Sequence, residues 1–202
     1  MKVGHILFKV QQLATAVKGF QKKGFRVEYG SRKHPHNALI YFSHGPYIEL
    51  LEKAPVSALE LWALKRVGHR PVAERFHLWE KAPEGFFEMC LETRGPDFRQ
   101  AKEILNRYGL NYFQTRSKRI DPFHRRLRWK LLFPHPHQLP FMMTPFNSNP
   151  KPQNFVHPNG VQQIKKVFYP CAPKSMKILR ELCDDKILLL EKEGDNIRLE
   201  YS

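Results

Sequence analysis

The sequence predicts an α+β fold made of repeated βαβββ units, and three observations carry that prediction. Short runs in which apolar residues alternate with period two, bounded by turn residues, mark strands. After the first run comes a stretch with apolar residues three and four apart, which marks a helix. The pattern then recurs. Setting Gly24 on Gly109 also sets Leu13 on Phe98 and Ala16 on Ala101, a constant offset of 85 residues without a gap in the helix.

In chain order, residues 3–10 place Ile6, Phe8 and Val10 on one face and read as a strand. Leu13, Ala16, Val17 and Phe20 form the stripe of the following helix. Lys22, Lys23 and Gly24 end it, since cations favour the negative dipole end and Gly accepts a left-handed cap. Residues 25–29, 37–42 and 47–51 complete the first unit (1–52), the last two strands joined by Ser43-His44-Gly45-Pro46. Ser57 and Glu60 have capping-box spacing, and Leu59, Trp62, Ala63 and Val67 predict a helix inserted within residues 53–85. The second unit (86–144) has a strand at 86–93, a helix between Gly95-Pro96-Asp97 and Tyr108-Gly109, and strands at 110–114, 126–133 and 139–143. A proline-rich connection (145–160) follows. A truncated third unit (161–202) has a strand at 167–169, a helix at 173–182 and strands at 187–191 and 197–201. That unit either replaces the second beside the first or extends a sheet. The whole chain is expected to be a single domain.

Composition narrows the classes. Of 202 residues, 42% are hydrophobic, enough for a core and too many for a disordered polycation. No apolar run approaches the roughly 20 residues of a bilayer span, so no membrane partner is expected. The first ten residues are too interrupted by charge for a secretory signal, and three scattered cysteines suit neither a disulfide framework nor a Cys-based zinc site. A cytoplasmic location is the expectation. The 34 Lys and Arg against 19 Asp and Glu leave a net charge of +15, which calls for an anionic partner.

Five segments carry a resemblance: Gly4-His5-Ile6-Leu7-Phe8-Lys9-Val10, His36-Asn37-Ala38-Leu39, Tyr47-Ile48-Glu49-Leu50-Leu51, Arg126-Leu127-Arg128-Trp129-Lys130 and His157-Pro158-Asn159-Gly160-Val161. The sequence resembles the glyoxalase-like domain proteins of the vicinal oxygen chelate superfamily, which includes glyoxalase I, extradiol dioxygenases and antibiotic-resistance proteins. The resemblance implies paired units curled into a half-barrel, helices on the convex face, and a divalent Zn, Mn, Ni or Fe ion in the concavity.

Strand parity tests that implication. Ile6, Phe8 and Val10 should meet the helix, which turns His5 inward; Ile48 and Leu50 should pack outward, which turns Tyr47, Glu49 and Leu51 inward. His5 and Glu49 are thus the expected metal ligands, with an ion pair lacking metal as the alternative. The second unit departs from the pattern: Cys90 stands at the position of His5 and Met143 at that of Glu49. Glu88 is a weak substitute. His36 and His157 are the better candidates to complete the shell, although His157, held extended by Pro158, also suits a turn. If Ala38, Ile40 and Phe42 form the convex face, Asn37 rather than His36 points inward, unless a bulge intervenes. In residues 126–131 the cations alternate with Leu127, Trp129 and Leu131. If the apolar set packs beneath the second helix, Arg126 and Arg128 enter the concavity and bind an acid group; the alternative is a charged edge strand.

The leading reading is a protein that binds a small anionic organic molecule in the half-barrel, as a metal-dependent lyase, isomerase or dioxygenase. Glu49 is then a ligand, or the catalytic base without metal, and Asn37 donates to a carbonyl. The alternative is a sequestering protein with a degenerate metal site, in which Tyr47 and Trp129 supply aromatic walls. A further alternative is an RNA- or DNA-associated protein, against which stands the lack of any nucleic-acid-binding motif. Pairing of units between chains would give a homodimer.

Overall fold

The computed structural model describes residues 1–135, 137–153, 155–194 and 196–202. The first unit comprises β1 (Lys2–Lys9), α1 (Leu13–Lys22), β2 (Glu28–Tyr29), β3 (Asn37–Ile40) and β4 (Tyr47–Leu51). Ile6, Val10, Ala38, Ile40, Ile48 and Leu50 form one face of the sheet and pack against Leu13 and Val17 of α1. Leu7 and Leu51 lie on the other face. One feature of β1 escapes simple alternation. Val3 pairs with Leu91 and His5 with Cys90, so Gly4 is an extra residue, a bulge. A Cβ on Gly4 would meet the Glu92 Cβ at 2.9 Å, which is why glycine stands there.

The inserted segment holds two helices, α2 (Ala58–Arg66) and α3 (Arg70–Lys81), the second of which the sequence pattern did not resolve. The capping box on α2 forms: Ser57 Oγ accepts from Glu60 N at 3.2 Å and Glu60 Oε2 accepts from Ser57 N at 2.7 Å. The second unit follows as β5 (Gly85–Glu92), α4 (Arg99–Arg107), β6 (Tyr112–Ile120), β7 (Arg126–Pro134) and β8 (Phe141–Met143). β6 runs much further than the strand expected at 110–114, taking in the basic residues after it.

The offset of 85 reappears as structure. Both helices end on a positive-φ glycine, Gly24 (φ 80°) and Gly109 (φ 65°), and the same bond closes each, Phe25 N to Phe20 O at 3.1 Å and Leu110 N to Leu105 O at 2.9 Å. The strands join into one mixed sheet in the order β2-β3-β4-β1-β5-β8-β7-β6. Its centre is the antiparallel pair β1–β5, about which the units are related: His5 pairs with Tyr47 on one side and Cys90 with Phe141 on the other. The sheet curls into a half-barrel until its edges meet, since Arg119 of β6 reaches the Gly30 carbonyl beside β2 at 3.4 Å.

The third unit forms β9 (Ile164–Pro170), α5 (Pro173–Leu182), β10 (Leu188–Glu191) and β11 (Arg198–Tyr201), a separate sheet in the order β10-β9-β11. It neither replaces the second unit nor extends the large sheet. Ile164, Val167, Ile178 and Leu179 instead join the convex-side core with Ala101 and Leu105 of α4. Among the described residues no helix is long and apolar enough to cross a membrane.

Candidate functional site

The concave face encloses a cavity of about 760 Å³. Its floor is β1, β4, β5 and β8, its walls are β3 with the loop before it on one side and β6–β7 on the other, and α2–α3 cover it. Most of the lining is apolar and aromatic. Phe133 and Phe141 stack with ring centroids 5.7 Å apart, Phe76 packs on Phe133 at 5.4 Å, and Trp79 on Phe141 at 5.2 Å. α3 is anchored by a buried ion pair, Arg75 Nη1 to Glu88 Oε2 at 3.0 Å, with Arg75 Nη2 donating to Leu139 O at 2.7 Å. Trp79 Nε1 donates to the same Glu88 oxygen at 3.1 Å and Met89 N to the other at 3.1 Å. Glu88 is therefore a strut of the cover, not a ligand.

One polar cluster interrupts the apolar walls. His5 Nε2 stands 3.3 Å from Glu49 Oε2, and Asn37 Nδ2 donates to Glu49 Oε1 at 2.7 Å. Tyr47 stacks on the imidazole at 4.6 Å and Phe141 meets it edge-on at 5.5 Å. Burial, assisted by the charges of Lys151 and Arg119, holds the His5 pKa down to about 3, so the ring is neutral; its buried Nδ1 has no partner. Burial pushes the Glu49 carboxyl above its ordinary range, against the opposing pull of Asn37 and Arg119. The pair is thus a neutral imidazole beside a carboxyl whose pKa burial raises.

His5, Asn37, Tyr47, Glu49 and Trp129 come together on this cavity, and the exposed His36 lines it too, at the bend before β3. Three expected site residues lie elsewhere. Arg126 and Arg128 are exposed on the outer face, because Trp129, Leu131 and Phe133 are the residues of β7 that face inward. The parity is reversed from the expectation for a physical reason: on the outer face Leu132 joins the core shared with α4 while positions 126 and 128 lie in solvent, and the apolar set closes the cavity. His157 is buried among Phe25, Phe42 and Phe155, with ring centroids 5.1, 5.1 and 4.7 Å away, and its Nδ1 accepts from Arg26 N at 2.9 Å. With Asn159, whose Nδ2 donates to Lys23 O at 2.9 Å, it clamps the turn after α1. Sequence reasoning passed over Arg119. It lies in a basic run with Arg116 and Lys118, and only the extension of β6 places it inward with Thr115 and Ser117.

The residues present do not fit the divalent ion that the resemblance implies. A catalytic zinc takes three protein ligands, and among the described residues no three His, Cys, Asp or Glu side chains converge to hold a metal. His5 and Glu49 are two donors. Cys90, opposite His5, is buried with its thiol pKa pushed well up by that burial and its Sγ on Leu91 O at 3.5 Å; Met143 stands where a second carboxylate would.

Compared with known proteins, the chain matches a family model described as a glyoxalase-like domain over residues 3–177, from the first strand into α5. No curated protein matches it. With that match over most of its length, and with the curled sheet of two related units, the chain belongs to the glyoxalase-like domain family of the vicinal oxygen chelate superfamily.

Proposed function

We propose that the protein binds a small organic anion in its half-barrel without a metal ion. The observation that supports this reading is the donor set at the cavity's centre: His5, Glu49 and Asn37 among aromatic walls, with Cys90 and Met143 at the related positions of the second unit. Such a cavity, mostly apolar with a few convergent polar groups, is the usual form of a small-molecule site. Basic residues on its lining, His36 and Arg119, favour a negative ligand. Within this reading Glu49 is the acid–base residue: it faces the cavity between His5 and Asn37, and burial raises its pKa. The test uses the fluorescent anion 1-anilinonaphthalene-8-sulfonate. Saturable binding that survives dialysis against EDTA, and that weakens when Leu131→Trp fills the cavity, is the expected result. A stoichiometric divalent ion in the purified protein, whose removal abolishes binding, overturns it.

A second reading is favoured by the outer face of β6–β7. There Arg116 pairs across the strands with Lys130 and Lys118 with Arg128, like charges placed opposite one another at a cost in stability. A polyanion would relieve that repulsion. On this reading the hairpin holds nucleic-acid phosphates, and its affinity for duplex DNA falls steeply between about 50 and 200 mM salt. No binding at low salt would remove the reading.

A further inference from the structure

Arg119 is a half-buried cation whose surroundings are incomplete. Its Nη2 donates to the Tyr41 hydroxyl at 3.0 Å and its Nη1 to the Gly30 carbonyl at 3.4 Å, while its buried Nε has no partner. Among the described residues it forms no ion pair, in contrast to Arg75, which has Glu88, and Arg125, which has Asp121 at 2.5 Å. Two neutral acceptors leave most of its donors free for an anion in the cavity. It also sits at the edge of an aromatic shelf: the Phe146 ring is 5.7 Å from its guanidinium, and Trp129 meets Phe146 at 5.0 Å. Beyond Trp129 on the same strand face come Leu131 and Phe133, leading to the apolar depth under α3.

Resting on the reading of the half-barrel as a binding cavity, we propose that its ligand is a hydrophobic monocarboxylate, the carboxylate held by Arg119 and the apolar body laid along Phe146, Trp129 and Phe133. The planar fork of arginine suits a carboxylate, to which it offers paired donors. A phosphate monoester is disfavoured because negative groups already stand nearby: Glu28 and Glu49 both feel the Arg119 charge, and the Glu60 carboxylate lies at the mouth.

The test is titration calorimetry of the full chain with 2-naphthoate, 2-naphthamide and 2-naphthyl phosphate. One charge-assisted contact corresponds to about ten- to hundred-fold in affinity. Naphthoate is expected to bind at least about ten-fold tighter than the amide and tighter than the phosphate. Arg119→Met should lower naphthoate affinity about thirty-fold while leaving the amide unchanged, and Arg119→Lys should fall between. Arg128→Met, on the outer face, should change neither. Should Arg119→Met fail to fold, the acid-to-amide ratio of the wild type and the Arg119→Lys variant decide. Equal affinity for acid and amide, or a preference for the phosphate, overturns the carboxylate assignment while leaving the binding cavity standing. No heat with any of the three overturns both.

Discussion

At His5 and Glu49, burial acts on two groups of opposite charge type, and the consequences for stability run in opposite directions. His5 has its pKa held at about 3 in the folded chain against an ordinary 6.5. Between these values the unfolded chain takes up a proton that the folded chain refuses. Stability therefore falls as pH drops from 6.5 toward 3, by up to about 1.4 kcal/mol per pH unit from this group. Glu49, with its pKa raised above 4.5, contributes stability that is present below 4.5 and lost as pH rises through its folded value. Urea midpoints at pH 4.5 and pH 7.5 check both. His5→Gln should lose less stability than wild type on acidification, and Glu49→Gln, whose amide oxygen can still accept from Asn37, should gain at pH 7.5 relative to wild type. An acid limb unchanged in His5→Gln would show that other groups control it. Both residues were legible from the family resemblance, with strand parity turning them inward. His157 was not, because a sequence does not show that its Nδ1 is spent on the Arg26 amide.

At the scale of elements, the two related helix ends make a controlled comparison. Gly24 and Gly109 share the left-handed conformation, which costs an alanine about 1 kcal/mol. Only at Gly24 would a Cβ also strike a neighbour, the Asn159 Cβ at 2.7 Å. Gly109→Ala should therefore lose about 1 kcal/mol and Gly24→Ala clearly more, measured by denaturant unfolding; equal losses would mean that the clamp at Asn159 yields freely. On α2 the capping box is the main local support, since none of the helix's residues is buried and Leu59 is 73% exposed. Ser57→Ala should cost about 1 kcal/mol of helix stability, seen first as faster amide exchange at residues 58–61 with little change in the sheet. The repeats, the capping box and α5 were readable because each rests on local chemistry. The facing of β7 was not: alternation shows that a strand has two faces, and only the packing on each side of the curled sheet decides which one lines the cavity.

Across the whole molecule, the cover and the barrel are held together by Arg75 and Glu88, which tie α3 to β5 and to the segment before β8. Arg75→Met leaves a buried carboxylate without its partner and should destabilise by about 3–5 kcal/mol, whereas the double variant Arg75→Met/Glu88→Gln should recover much of that loss. A thermal-unfolding cycle measures it, and additive losses would contradict the coupling. What the sequence determined by itself was the repeat, the α+β class and the inward turn of His5 and Glu49, because periodicity, caps and turns are properties of neighbours along the chain, and, through the resemblance of its motifs, the family. Only the tertiary structure decided which basic residue enters the cavity, that a second inserted helix covers it, and that the third unit packs behind the sheet rather than within it. Those outcomes depend on which surfaces meet after the sheet has curled, and the curl brings Arg119 against Gly30 and Tyr41 from opposite ends of the strand order, a contact between residues 78 and 89 positions apart.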